Sequence, residues 1–511
     1  MKLKMKMPLM LGLIFALAAT KMVFYFIYAG YDLGMPYEAF HLESKMVLLA
    51  YRVQVGALLY PDWHDYPHVA NFFGPVYFVI VGLLGRLAKA DIPSLFTIGR
   101  GVTFTAMLAT TGFIALYLKR TCGWWAAIVG AMISLGGNPM FGFSVMVRAD
   151  LLAEAFGTAG FLLSIQQARS RRLLGCVLLA TAVLTKQTTA VFLVAGALAL
   201  FLEGARREAL VVFVTSTVLV ALAIAILTIV REPRFATDFL GEGKTPWLFE
   251  PWYVALKRMT VSAPDYLLVP ILTLLLVKSR GGRESALLAL TVVLMAASLI
   301  TSAKRGADLN YYLNLRVCEG LAAGILWKKF VTAETFKQRV GARFIGVLVV
   351  LALMQSTIFS MVPAETALRK YEFRNSRVWP SVARTHAQLI QIAENPDRRL
   401  LTDSGLLDLY QGERAAFGDP WLFRMMVETG RINPTKMKRW IEAEEYDMVV
   451  TTHDLTQPSY VTYEFGLPML LVESINAHYV PAGTLNNFFI YTKRGAKATP
   501  LSSVLNSSDR R

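Results

Sequence analysis

Charge is scarce in this chain. Of its 511 residues, 17% are Asp, Glu, Lys or Arg, against 55% apolar. Soluble domains carry roughly 25% charge. A deficit of this size, with whole stretches free of charge and a mean hydropathy of +0.46, excludes a soluble enzyme, a disordered chain and a fibrous protein. Cysteine is scarcer still: Cys122, Cys176 and Cys318 are all there is. They sit in or beside apolar segments without paired or metal-type spacing. The last 150 residues have none, so that part does not depend on disulfides. Internal repeats, low-complexity tracts, phosphate loops and nucleophile elbows are also missing.

What is present is a series of apolar runs. A spanning helix needs about 20 mostly apolar residues. Runs near 8–30, 96–118, 123–142, 151–168, 173–186, 187–202, 208–230, 264–278, 285–301, 314–327 and 343–362 meet or approach that length, giving about eleven spans. Lys2, Lys4 and Lys6 followed by Ala16-Leu17-Ala18-Ala19 resemble a secretory signal. The apolar stretch continues to Gly30, which fits an uncleaved helix better. The net charge of +16 does not indicate nucleic acid, because the basic residues form no single stripe. They recur as small clusters between apolar runs. With the N-terminus inside, the short inner loops hold 17 Lys and Arg in 41 residues; the outer loops hold 12 in 118. That contrast orients the chain. Residues 73–88 are apolar enough to cross, but crossing would put every later basic cluster outside. They are therefore expected to form an outer juxtamembrane helix.

An odd number of crossings leaves residues 363–511 outside. Their composition is that of a soluble domain, with strands expected at 446–452 and 488–492 and helices at 383–393 and 435–444. The expected architecture is mainly α. It is a polytopic transmembrane helical bundle over 1–362, followed by a small extracytoplasmic α/β domain over 363–511, with Pro363 at the boundary.

Chemistry-bearing residues collect on the outer side of this topology. The loop 31–72 is dense in polar and aromatic groups. Within it, 38–55 has the period of an amphipathic surface helix. Glu43 lies near its start, and Tyr60, Asp62 and Asp65 follow a turn after Gly56. Asp150 opens a helix, where an Asp commonly caps free amides. Glu154 lies one turn deeper and must point inward, since an acid there is costly unless paired or facing a cavity. Lys186 stands at the tip of a helical hairpin, Thr185-Lys186-Gln187-Thr188. A snorkelling lysine is the ordinary reading; a cation set for a lipid phosphate is the functional one. Lys304, Arg305, Asn310, Tyr311 and Asn314 surround the mouth of a later helix. Arg316 and Glu319 are spaced to pair on one of its faces. Acids and cations at one membrane face suit transfer from a lipid phosphate to a hydroxyl. The carboxylate accepts the proton and the cations stabilise the leaving phosphate. No activated nucleophile pair is evident, so displacement is direct. The rival reading is a lipid-linked sugar or lipid transporter (a flippase). It would carry repeats and Gly/Pro-broken helices, and its charges would lie at the midplane.

Several motifs, in order, resemble the polytopic GT-C glycosyltransferases that use polyprenyl-phosphate sugars. That superfamily includes protein O-mannosyltransferases and bacterial aminoarabinose transferases; the bacterial family 39-like members are the nearer match. The matching residues are Glu43, then Ala50…Gly56…Tyr60…Asp62, Pro75-Val76-Tyr77, Gly99-Arg100, Arg148-Ala149-Asp150 (for Arg-Pro-Asp) and Leu184-Thr185-Lys186. They cover roughly residues 8–330. Many relatives show Asp-Glu where this chain has Leu42-Glu43, and Glu38 is the other acid of that stretch. The resemblance implies Glu43 and Asp150 as catalytic acids. It also implies Lys186 as the donor-phosphate lysine. Arg148 or Arg305 is expected as its helper, and Tyr60, Asp62, Tyr77, Asn310 and Tyr311 as substrate-binding residues. The resemblance implies inversion at the sugar, a polyprenyl-phosphate-linked donor, and a glycan, lipid or protein acceptor. It further implies a place in the bacterial inner membrane, among membrane lipid. Some relatives bind a divalent metal ion near the first-loop acid and others do not, so the metal stays open. His41 alone does not make a metal site.

Overall fold

The computed structural model describes residues 6–38, 42–136, 138–242, 248–262, 265–276, 282–304, 309–331, 379–457 and 466–495. Ten of the eleven apolar runs are helical, and the eleventh, 343–362, lies outside the described residues. So does the boundary expected at Pro363. Among the described helices, Ile92–Cys122, Arg206–Val230 and Glu284–Thr301 are long and apolar enough to cross a membrane. Residues 73–88 give the short helix Val76–Ala88. A helix the apolar scan did not anticipate, Phe249–Ser262, precedes Asp265–Leu276. The chain forms two compact units. One comprises Met1–Met35, Phe72–Leu84 and Thr97–Lys370; the other comprises Pro36–Asn71, Gly85–Phe96 and Tyr371–Arg511.

In the first unit, small residues let helices pack at backbone contact. Helices Asp150–Ser164 and Arg169–Thr185 are joined by a short turn and run antiparallel. Gly160 and Gly175 meet between them. A Cβ on Gly175 would lie 2.6 Å from the Ser164 nitrogen and 2.9 Å from the Gly160 carbonyl. Because the pair is antiparallel, the start of the first helix and the end of the second lie at the same end. Asp150 and Lys186 are therefore neighbours by construction. Trp124–Gly136 packs in the same close way on Leu313–Val331, with a Cβ on Gly130 only 2.6 Å from the Gly320 carbonyl. The core around them is apolar, with Ile114, Leu118, Ile133, Phe161, Phe192 and Leu290 fully or almost fully buried. Within it Arg316 pairs with Glu319 at 2.7 Å, three residues apart on one helix as expected.

The second unit is α/β. Its sheet has the order β1-β2-β4-β3, with β1 Leu400–Thr402, β2 Met448–Thr451, β3 Tyr479–Leu485 and β4 Phe488–Lys493. β1 and β2 are parallel, with Leu400 opposite Met448; β2–β4 and β4–β3 are antiparallel. The β3–β4 turn places Asn486 at φ 51°, a left-handed conformation that Asn tolerates. Helices Trp379–Glu394 and Gly405–Gln411 cover the sheet through Leu389, Ile392, Ala393 and Leu407, packed on Leu400, Met448, Val450 and Ile490. Helices Pro420–Glu428 and Thr435–Glu442 lie between β1 and β2 in the chain.

The first loop folds within this same unit. Its helix is Glu43–Val55, which starts five residues later than the periodicity suggests. Residues 43 to 50 are all buried. Over these eight residues neighbours cover every face, unlike a one-faced surface helix, while 51–54 are partly exposed and Val55 is exposed. Gly418 shows how tightly: it sits at φ +64°, and a Cβ there would fall 2.8 Å from Leu48 Cδ2. The backbone of His68 donates to the Ala416 carbonyl at 2.8 Å, and the Tyr66 hydroxyl donates to the Arg414 carbonyl at 3.2 Å.

Candidate active site

Asp150 is the centre of a buried polar cluster in the first unit. Its carboxylate does not cap its helix: the N-cap residue is Ala149 and no side chain caps the end. One oxygen accepts from Lys186 Nζ and from Asn310 Nδ2, the latter at 3.0 Å; the other accepts from Arg148 Nε at 3.2 Å. Each donor arrives for a local reason. Arg148 precedes the helix, and its carbonyl accepts from the Thr103 hydroxyl at 3.1 Å. Lys186 follows the end of helix Arg169–Thr185 and turns extended, with φ −153° and ψ 125°. The next residue, Gln187, pins this turn by donating to the Phe72 and Phe239 carbonyls at 2.6 and 3.0 Å. Asn310 lies in the short turn Leu309–Tyr312 that leads into helix Leu313–Val331. The ring of Tyr311 lies 5.4 Å from Lys186 Nζ, within cation–π range.

The charges explain what the cluster can do. Two cations, Lys186 and Arg148, converge on the one Asp150 carboxylate. Asp150 offsets the cost of burying Lys186 and Arg148 and fixes their directions. Three donors are directed at its two oxygens, two at one and one at the other. Glu154, one turn deeper, is 4% exposed. Asn314, with its amide nitrogen turned to the carboxylate, donates to both of its oxygens. That contact meets the need for a partner at this depth.

Four of the residues singled out from the sequence thus sit together: Arg148, Asp150, Lys186 and Asn310, with Tyr311 against them. Tyr77 belongs to the same unit, but its hydroxyl is buried and donates to the Gly99 carbonyl at 2.9 Å, which spends it on helix packing. Arg305 lies outside the described residues, as does His41. Glu43, Tyr60 and Asp62 belong to the second unit. Glu43 is fully buried in the first turn of its helix, Tyr60 is 1% exposed, and Asp62 is exposed and binds His64 Nδ1 at 3.0 Å.

Two features of the second unit were not legible from the sequence. Lys45 pairs with Asp419 at 3.1 Å, both buried. Asp408 is fully buried and accepts from the backbone nitrogens of Ala416, Phe417 and Gly418, which shapes the loop that presents Asp419. Burial raises the Asp408 carboxyl to about 6, against the pull of those three donors. Lys45 and Asp419 are 374 positions apart, and the Asp408 contacts close a loop of 8 to 10 residues that no helix or strand period announces. Among the described residues, no group of three or more His, Cys, Asp or Glu side chains converges to hold a metal ion.

An apolar cavity of about 610 Å³ opens beside the Asp150 helix. Leu152, Ala155, Phe156 and Ala159 line it from that helix, and Val102 and Ala109 from Ile92–Cys122.

Comparison with known proteins places the fold. No protein-family model matches the chain, and no curated protein does. Solved structures do match. ArnT from Cupriavidus metallidurans, bound to undecaprenyl phosphate, superposes with a TM-score of 0.58 at 14% identity, over 96% of this chain and 99% of that one. The archaeal oligosaccharyltransferase AglB from Archaeoglobus fulgidus, with an inhibitory peptide and a dolichol-phosphate, gives 0.53 at 11% identity, over 93% of this chain and 74% of that one. Another structure of the Archaeoglobus fulgidus oligosaccharyltransferase carries Zn and sulfate, at a TM-score of 0.51. The fold of this chain is therefore the one shared by ArnT and the oligosaccharyltransferase, over nearly its whole length.

Proposed function

We propose that this chain is an integral membrane glycosyltransferase. It moves a monosaccharide from a polyprenyl-phosphate donor to a hydroxyl of an extracytoplasmic glycan, lipid or protein. It works in the bacterial inner membrane, with its N-terminus cytoplasmic and its tail outside. The observation that carries the reading is the buried Asp150 cluster, where Lys186 and Arg148 converge on one carboxylate, set in a fold shared with ArnT. Lys186 and Arg148 are held ready for the donor phosphate, with Arg305 as a further helper. The apolar cavity along the same helix suits an isoprenoid chain whose phosphate lies at the Asp150 end.

The reaction is one displacement. The acceptor oxygen forms a bond to the anomeric carbon as the bond from that carbon to the phosphate oxygen breaks. The acceptor proton passes to Glu43, and polyprenyl phosphate leaves with the electron pair. The cations stabilise the charge gathering on the phosphate, and inversion at the sugar follows from a single step. Asp150 orients the cations. Tyr60, Asp62, Asn310 and Tyr311 are proposed to border the substrates. The resemblance to GT-C members leaves a divalent ion near the first-loop acid open.

The test is transfer from labelled polyprenyl-phosphate sugars to cell-envelope material. Glu43→Gln is expected to fold and to lose transfer; wild-type activity in that variant rejects Glu43 as the base. A transporter is the second reading. Donor-free flux of lipid-linked sugar in proteoliposomes, with no transfer, would favour it.

A further inference from the structure

The helix that Glu43 opens begins in an unusual way. Its N-cap residue, Leu42, is left-handed at φ 77° and offers no side-chain acceptor. A helix start needs acceptors for its first amides, and a leucine supplies none. Glu38 does so instead. Its Oε2 accepts from the Ser44 hydroxyl at 2.9 Å, and its Oε1 lies 3.5 Å from the Ser44 backbone nitrogen. A carboxylate at this point also suits the positive end of the helix. The tail closes the arrangement. Gly405 lies against both groups, its Cβ direction pointing 3.4 Å from Ser44 Cβ and 3.7 Å from Glu38 Oε2. At the next residue, Lys45 is held by Asp419, whose other oxygen caps helix Pro420–Glu428 through Leu422.

We infer that Glu38 is a positioning residue for the first-loop base: it caps the Glu43 helix from outside the helix and so sets the direction of Glu43. The inference rests on the glycosyltransferase reading with Glu43 as base. Nothing in the resemblance assigns Glu38 a task.

The charges around Glu38 make this role sensitive to pH. Glu43 faces it from its own segment and Asp419 from the tail, and both disfavour its ionised form; Lys45 is committed to Asp419. His386 stacks on the neighbouring Tyr37 ring at 4.9 Å. Burial and the two acids together raise the Glu38 carboxyl to about 7, while Ser44 pulls the other way. Protonation turns one cap oxygen into a donor that competes with the Ser44 hydroxyl. Positioning of Glu43 should therefore weaken as pH falls through the neutral range.

The experiment uses the full chain in nanodiscs, envelope material as acceptor, and labelled undecaprenyl-phosphate mannose, glucose and aminoarabinose as donors. Glu38→Ala, which removes the cap, is expected to lower kcat at least tenfold with donor KM within twofold. Glu38→Gln keeps an acceptor for Ser44 but cannot ionise. It should retain more activity than Glu38→Ala and move the acid limb of the pH profile down by a unit or more. A kcat within twofold of wild type for Glu38→Ala overturns the inference, as does an unmoved acid limb in Glu38→Gln. If Glu38→Ala does not fold, the isosteric Glu38→Gln decides through its acid limb. A wild type that transfers none of the three sugars overturns the glycosyltransferase reading itself, and this inference with it. An active wild type confines any failure to Glu38.

Discussion

Gly74→Ala tests the candidate site without touching a charged group. Gly74 packs against the chain just ahead of Lys186. A Cβ at this position would lie 1.8 Å from the Leu184 carbonyl oxygen, 2.4 Å from its carbon and 3.0 Å from the Thr185 nitrogen. The obstacle is backbone, so no side chain can rotate away. Opening the first contact to the 3.0 Å that real Cβ atoms respect requires a shift of about 1.2 Å, the difference between the two distances. Lys186 is two residues from the point of contact and Gln187 three. The displacement therefore falls on the turn that aims Lys186 at Asp150. A misplacement of about 1 Å in a reacting constellation can cost on the order of a hundredfold in rate, or ~2.7 kcal/mol. The assay is transfer of labelled donor sugar by protein that still melts cooperatively. The control is Gly112→Ala, where nothing lies within 4 Å of the added methyl. A folded Gly74→Ala protein with wild-type kcat and donor affinity would falsify the claim that this turn sets the cation.

Three further outcomes are expected. Asp150→Asn leaves the buried Lys186 and the partly buried Arg148 short of their counter-charge, so stability should fall by ~3–5 kcal/mol along with donor turnover; the drop in melting temperature measures it. Gly418→Ala forces a side chain into a left-handed backbone and against Leu48, so it should loosen the first loop from the tail, seen as faster amide exchange over 43–55. Glu38 has a folded carboxyl near 7, above its unfolded value, so the folded state binds more protons between about pH 4.5 and 7 and this group's contribution to stability falls as pH rises through that window. Glu38→Gln should thus raise the melting temperature relative to wild type more at pH 7.5 than at pH 5, and an equal change at both would count against it.

The sequence was most legible where chain topology alone brings residues together. Asp150 and Lys186 end up adjacent because two apolar runs joined by a short basic turn must be antiparallel. Asn310 joins them from a segment placed at the same face by the positive-inside pattern. Arg316 and Glu319 were legible because a helix puts residues three apart on one side. Legibility failed where partners are remote or rules compete. The capping role open to Asp150 is not used, since Lys186 and Arg148 claim both oxygens. The amphipathic period of 38–55 suggested a surface helix, but burial on all sides over 43–50 overrides a one-faced pattern, and the left-handed Leu42 delays the start to Glu43. β1 is three residues long, and β3 carries Pro481 and Gly483, so neither has a strand signature. Lys45 and Asp419 are separated by 374 positions, and only folding reveals that they meet.

That last pair bears on how the polypeptide can be divided. Chain order invites a cut between a membrane part and a detachable tail. Shortening the protein before Trp379 would strand the Lys45 ammonium in an apolar setting and take Gly405 away from the Glu38 cap. The loss would be felt more than 300 residues upstream of the cut. The two termini of the second unit are thus one inheritance: swapping tails between relatives should succeed only when the first loop travels with them.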